Sequence, residues 1–264
     1  MNLNVWNDIE KIRESSPLIH NITNYVVMNN TANALLSLGA SPVMAHAIEE
    51  VADMAQIASA LVINIGTLSE HWIEAMKVAM QTARLRNIPI IVDPVGAGAT
   101  KFRTATVKEL FKIAKPSVIR GNASEIMALL DTSIQTKGVD SSHSSDKAEL
   151  AAKNLAEHYK CLVVVSGEID IITNGNETIF IDNGHSMMPK VTGLGCTATA
   201  LTGAFCAVND NYLQACANAM ALMGICGQLA VQDSNGPASL QLNFIDKLYN
   251  ITQEEVAKTL KYHV

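Results

Sequence analysis

The sequence predicts an α/β fold: one three-layer α/β/α domain with a mostly parallel central sheet and helices on both faces. Short apolar runs alternate with amphipathic segments, the pattern of repeated βαβ units. The chain has 264 residues, of which 48% are hydrophobic, enough to bury a large core. No composition shift, internal repeat or low-complexity tract interrupts it, so a single domain over 1–264 is expected.

The elements follow in order. Residues 20–27 are rich in amide and hydroxyl groups and fall at a strand–helix junction, and 41–46 join a short strand to a helix. Residues 60–66 read as a buried strand. Ser69 can cap the next helix, which places Trp72, Ile73, Met76 and Met80 on one face. A strand over 88–93, a helix over 104–114 and a strand over 117–120 come next. Asn122 can cap a helix running to Leu130, with Glu125 three residues on in a capping-box arrangement. The serine-rich stretch 132–145 reads as a surface loop, 146–159 as a helix and 161–167 as the most strand-like run of the chain. Residues 169–173 and 178–182 form a hairpin turning at Asn174-Gly175. From Thr197 onward the chain reads as helix: 197–207, 212–232, 239–249 and 253–261.

The net charge of −6 argues against nucleic acid as the main partner. Five cysteines, Cys161, Cys196, Cys206, Cys216 and Cys226, form no CxxC pair and suit a reducing cytoplasm rather than a zinc site or disulfides. No basic region followed by an apolar run opens the chain, so no signal peptide is expected. The apolar stretch 213–231 approaches membrane-spanning length, but Gln214, Asn218 and Gln228 interrupt it. It reads as a helix buried between helices or at a subunit interface.

The chemistry centres on Gly193-Leu194-Gly195-Cys196, which leads directly into a helix rich in small residues. Two glycines permit a tight turn with exposed N–H groups, and a helix N-terminus behind them attracts anions. Cys196 there is a small core residue or, with its thiolate favoured by the helix terminus, a base or nucleophile. Other polar residues end predicted strands, where parallel sheets collect ligands. Asp93, before Pro94-Val95-Gly96-Ala97-Gly98, is a turn former or a Mg²⁺ carboxylate. Arg120 suits a surface ion pair or a phosphate. Glu125 caps its helix or assists a metal. Ser166 closes its strand or donates to a nucleotide. Thr23 and Asn24 cap a helix or line a substrate pocket. Met44 is core filler or the wall of an apolar slot.

Together these segments resemble the hydroxyethylthiazole kinase family, thiamine-salvage enzymes of ribokinase-like fold, along almost the whole chain. The carriers are His20-Asn21-Ile22-Thr23-Asn24, Gly39-Ala40-Ser41-Pro42-Val43-Met44, Asn64-Ile65-Gly66-Thr67, Val92-Asp93-Pro94-Val95-Gly96-Ala97, Ile119-Arg120-Gly121-Asn122-Ala123-Ser124-Glu125 and Val191-Thr192-Gly193-Leu194-Gly195-Cys196. The resemblance implies ATP-dependent phosphorylation of the hydroxyl of 4-methyl-5-(2-hydroxyethyl)thiazole, with Mg²⁺, in a homotrimer with sites between subunits. It implies that Met44 and Gly193 contact the thiazole, with Asn24 assigned to the same pocket. Arg120 and Ser166 would contact ATP, with Gly195 of the loop beside them. Asp93 and Glu125 would organise Mg²⁺ and the phosphates, and Cys196 would stand near the acceptor hydroxyl. The loop departs from the family pattern at Leu194, where threonine is expected, so a hydroxyl is lost while the backbone donors remain. The competing readings are a related small-alcohol or vitamin kinase, a cysteine nucleophile paired with a histidine, and a non-catalytic ligand sensor.

Overall fold

The computed structural model describes residues 2–130 and 144–264. The chain runs α1 (Val5–Ser15), β1 (Leu18–Ile22), α2 (Met28–Leu38), β2 (Ser41–Val43), α3 (Val51–Ile57), β3 (Ala60–Asn64), α4 (Glu70–Arg86), β4 (Ile90–Asp93), α5 (Lys101–Ile113), β5 (Val118–Asn122), α6 (Ala123–Leu129), α7 (Ser144–Tyr159) and β6 (Leu162–Ser166). The hairpin β7 (Asp170–Thr173) and β8 (Thr178–Ile181) follows. After a 3-10 turn at Met188–Lys190 come α8 (Leu194–Val208), α9 (Tyr212–Val231), α10 (Pro237–Asn250), α11 (Gln253–Thr259) and β9 (Tyr262–His263).

These residues form a nine-stranded sheet in the order β2-β1-β3-β4-β5-β6-β7-β8-β9. The pairs from β2 to β6 are parallel and those from β6 to β9 antiparallel. The chain steps from β1 outward to β2, then returns to place β3 on the other side of β1. That reversal opens a crevice between the loops after β1 and β3.

Strand alternation divides the core in two. Ile19, Val62, Ile91, Val118, Val164 and Ile172 pack under α1, α2, α8, α9 and α10. Leu61, Ile63, Val92, Ile119, Val163 and Val165 pack under α3, α4, α5, α6 and α7. Two residues beyond each apolar position on the α8 side stands a polar one: Asn21, Asn64, Asp93, Arg120 and Ser166, with Asp170 entering β7. A row of polar groups therefore lies across the carboxyl edge, on the face that α8 covers. Gly203 lets α8 come down onto that face, since a Cβ there would lie 2.7 Å from Val62 Cγ2.

Several boundaries differ from the sequence expectation. α1 is absent from it, because its apolar stripe (Val5, Ile9, Ile12) is narrow and interleaved with charges. α5 starts at Lys101, where Thr100 accepts the Arg103 N–H. α8 starts at Leu194, so Cys196 lies within its first turn rather than ahead of it. The C-terminal stretch is not all helix, because β9 pairs with β8. Of the expected loop 132–145, residues 132–143 lie outside the described residues, and Ser144 and Ser145 begin α7. α9 is long and apolar enough to cross a membrane, yet 78% of its apolar window is buried inside the protein, against α8, α10, α1 and the sheet.

Candidate active site

The first turn of α8 sits over the end of β4. Gly193, its N-cap, adopts φ +85°, and a Cβ there would lie 2.7 Å from Val27 Cγ1, so backbone conformation and packing both demand glycine. Beneath it runs a closed hydrogen-bond circuit. Asn24 Nδ2 donates to Cys196 Sγ (3.4 Å) and to Asn64 Oδ1 (2.8 Å). Asn64 Nδ2 donates to Asp93 Oδ2 (2.8 Å), and Thr199 Oγ1 donates to the same oxygen (2.7 Å). Thr199 and Cys196 share one helix, so the circuit begins and ends on α8. It crosses the crevice between β1 and β3, and only glycine fits at Gly66, where a Cβ would lie 2.6 Å from Asn24 Nδ2.

Asp93 is 2% exposed, and its carboxyl is pushed up to about 6, first by burial and further by the charge of Glu125; Arg120, Thr199 and Asn64 pull it down. Cys196 is half-buried. Its thiol is raised above the usual range by burial and then by the Asp93 charge, which outweigh the donors Asn64 and Asn24 and the Arg120 cation. This corrects the expectation of a favoured thiolate: α8 delivers the sulfur into a site that already holds a buried carboxylate.

Arg120, 7% exposed, points Nη1 at the Gly195 carbonyl (2.9 Å), and its Nε is buried without a partner among the described residues. The surface ion-pair alternative is thereby corrected: the guanidinium lies in the interior, where its charge acts on both Asp93 and Asp170. Glu125 accepts the Asn122 N–H through Oε2 (2.9 Å), completing the capping box of α6, and the Gly96 N–H through Oε1 (2.8 Å). It thus ties the loop after β4 to the start of α6. Ser166 donates weakly to the Gly121 carbonyl (3.4 Å) at the end of β6, and Met44 follows β2; neither bonds into the circuit.

The sequence reading missed four residues here. Asn64 and Thr199 are the partners of Asp93. Arg103 donates to the carbonyls of Ile65 (2.9 Å), Val95 (2.6 Å) and Gly66 (2.8 Å), clasping the loops after β3 and β4. Asp170 accepts the Gly167 N–H (3.0 Å), and burial pushes its carboxyl up to about 6 against the pull of that bond and of Arg120. Two sequence signals were present: Asn64 and Asp170 occupy the polar row at the strand edge, and Asn64 opens the segment Asn64-Ile65-Gly66-Thr67 that carries part of the family resemblance.

A stability prediction follows for Asp170. Its folded value lies above the unfolded one, so ionising it opposes folding. The penalty is absent below about pH 4 and complete above about pH 6. Asp170→Asn keeps an oxygen for Gly167 and removes the charge. Urea unfolding should show the variant about 2–3 kcal/mol more stable than the parent at pH 8 and equal to it near pH 4. An equal gain at both pH values would remove ionisation as the cause.

Among the described residues no group of three or more His, Cys, Asp or Glu side chains could hold a metal ion. Asp93 and Glu125 nonetheless fit Mg²⁺, which takes one or two carboxylates and completes its shell with phosphate oxygens and water. The Glu125 charge adds to the cost of ionising Asp93, and a cation would relieve it.

A sheet with a switch-point crevice and a glycine-led helix N-terminus above a buried carboxylate has the arrangement of an α/β enzyme site that receives an anionic ligand. The comparisons with known proteins agree. Residues 9–254 match the hydroxyethylthiazole kinase family. A hydroxyethylthiazole kinase of Syntrophus aciditrophicus is 55% identical over 98% of this chain and 96% of its own. The solved hydroxyethylthiazole kinase of Pyrococcus horikoshii OT3 superposes with a TM-score of 0.91 at 41% identity, covering 98% of each chain. A ribokinase-like superfamily protein of Enterococcus faecalis V583, at 13% identity and a TM-score of 0.65 over 90% of this chain and 87% of its own, shares the fold. The fold is ribokinase-like. This chain belongs to the hydroxyethylthiazole kinase family and is an enzyme of the kinase class.

Proposed function

We propose that the enzyme transfers the terminal phosphoryl group of ATP to the hydroxyl of 4-methyl-5-(2-hydroxyethyl)thiazole, a step of thiamine synthesis or salvage. One observation carries this reading beyond family membership. In the order β2-β1-β3-β4-β5-β6, Met44 and Asn24, assigned to the alcohol, follow β2 and β1, Arg120 and Ser166, assigned to ATP, lie on β5 and β6, and the N-terminus of α8, with Gly193 and Gly195, stands between them over β4. Five strand spacings of about 4.8 Å separate the two ends by about 24 Å.

In this reading Met44, Asn24 and the turn at Gly193 receive the thiazole, and Arg120, Ser166 and Gly195 receive the nucleotide. Asp93 and Glu125 would hold Mg²⁺, which when bound neutralises phosphate charge. The N–H groups and dipole of α8 stabilise the phosphoryl group in transit, where alignment and charge neutralisation dominate. Cys196, a neutral thiol at pH 7, orients the acceptor hydroxyl. The free thiols support a reducing, cytoplasmic setting. Exposed Tyr25 and Val26 beside the acceptor end, with Ile48 and Ile57 after β2, offer apolar surface to another copy of the chain, and the homotrimer with sites between subunits is what the family resemblance implies.

The test is ADP release from purified protein with ATP, Mg²⁺ and the thiazole, beside pyridoxal, hydroxymethylpyrimidine and other small alcohols. Thiazole-dependent turnover with a phosphorylated product by mass is expected. Turnover only on another alcohol would overturn the substrate, and silence on all would favour a ligand sensor. In the same assay Cys196→Asp should match the parent kcat or exceed it by up to about tenfold, since an ionised carboxylate accepts the hydroxyl proton that a neutral thiol does not. Background activity in a folded Cys196→Asp protein would contradict that placement.

A further inference from the structure

His20 opens the His-Asn-Ile-Thr-Asn segment, and none of the roles above uses it. It lies on β1, fully buried, on the sheet face opposite α8. Its Nε2 stands 2.7 Å from the Ala45 carbonyl, a contact in which the nitrogen must donate. Its Nδ1 is buried without a partner among the described residues. Burial lowers its pKa, so the ring is neutral at pH 7 and carries its one proton on Nε2.

That arrangement is poor for stability alone. A buried ring nitrogen left without a partner costs more than the single hydrogen bond returns. The bond does something else: it fixes the backbone immediately after Met44. A second histidine acts on the same turn, since His46 Nδ1 lies 3.1 Å from the Met44 carbonyl. The His46 ring in turn packs on Trp72, centroids 4.6 Å apart, and Trp72 packs on Tyr25 at 4.6 Å. Loops from β1 and β2 and the first turn of α4 thereby meet in one cluster, anchored from below by His20.

We propose that His20 is a positioning residue for the acceptor alcohol, holding the Ala45 carbonyl so that Met44 and the Tyr25–Trp72–His46 cluster keep their place at the acceptor end of the site. This rests on the assignment of that end to the alcohol. It predicts a selective defect: acceptor binding suffers, while the nucleotide end, on β5 and β6, does not.

The test compares two amides. In His20→Gln, Nε2 reaches as far as the imidazole Nε2 and still donates. In His20→Asn the amide stops short of Ala45. Loss of one positioning hydrogen bond should raise the acceptor KM of His20→Asn about tenfold, with the ATP KM within about twofold and kcat within about threefold of the parent. His20→Gln should stay within about threefold on all three. Equal acceptor KM values in the two variants, or a rise in the ATP KM matching that of the acceptor, would overturn the role.

A readout without turnover accompanies it. In a Trp6→Phe background Trp72 is the remaining tryptophan, and its emission reports the His46 contact. His20→Asn should shift that emission to longer wavelength and change its intensity, and His20→Gln should not. Identical spectra for the two variants overturn the positioning of this turn by His20. A parent enzyme with no thiazole-dependent turnover overturns the proposed substrate instead, so the two failures are told apart.

Discussion

Asp93→Asn should lower kcat about a thousandfold, a loss of about 4 kcal/mol of transition-state stabilisation, in a protein that still folds. The side chain keeps its shape. An amide oxygen can accept from Asn64 and Thr199 as Oδ2 does, so the circuit beneath α8 has the means to survive. The negative charge does not survive. Asp93 is the buried carboxylate beside Cys196 and directly under the helix N-terminus, and with Glu125 it forms the acidic side of the proposed Mg²⁺ site. The check is kinetic: kcat at saturating ATP and alcohol, followed by a Mg²⁺ titration. The half-saturating Mg²⁺ concentration should rise, and the circular dichroism spectrum should be unchanged. A variant within tenfold of the parent would remove Asp93 from the chemistry and leave it a structural acceptor.

Arg120→Met should destabilise the fold by about 3–5 kcal/mol at pH 8, as well as weakening ATP. From the sequence alone this arginine suits a surface ion pair or a phosphate ligand. In the structure its guanidinium is the buried cation whose charge favours ionisation of both Asp93 and Asp170, and it holds the Gly195 carbonyl. Removing it leaves two carboxylates buried with less compensation. Both titrate near pH 6, so the penalty should fade as they protonate. Urea unfolding at pH 8 and pH 5 should therefore give a large difference between variant and parent at the higher pH and a small one at the lower. In the assay the ATP KM should rise at least about tenfold, with the acceptor KM changing less. A pH-independent loss of stability would point to lost packing of the side-chain stem.

Much of this site was legible because the fold dictates where chemistry collects. Asp93, Arg120 and Ser166 end apolar strands, and a parallel sheet brings such ends to one edge. Gly193 and Gly195 flank a helix start, and the capping spacing of Asn122 and Glu125 is visible in the sequence. What could not be read was connection between distant segments. Thr199 follows Cys196 by three residues, but nothing local says that it faces Asp93, 106 positions away. Arg103 sits on an ordinary amphipathic helix, and its three carbonyl partners come from two other loops. The Cys196 thiol was misjudged because the helix terminus is a local feature, while burial and the Asp93 charge are tertiary ones. α8 began earlier than expected because a glycine-rich start carries no apolar periodicity. α1 escaped notice because its apolar stripe is too thin to register before it docks.

The ends of the sheet carry a consequence for assembly. On one rim stands β2, three residues long with Pro42 at its centre, and on the other β9, two residues long. Proline withholds a backbone donor, and so short a rim offers almost no ladder for a foreign strand to extend. Growth of the sheet from molecule to molecule is thus closed off at both margins. Copies of this chain that associate must therefore meet through side chains on loops and helices rather than by extending the sheet.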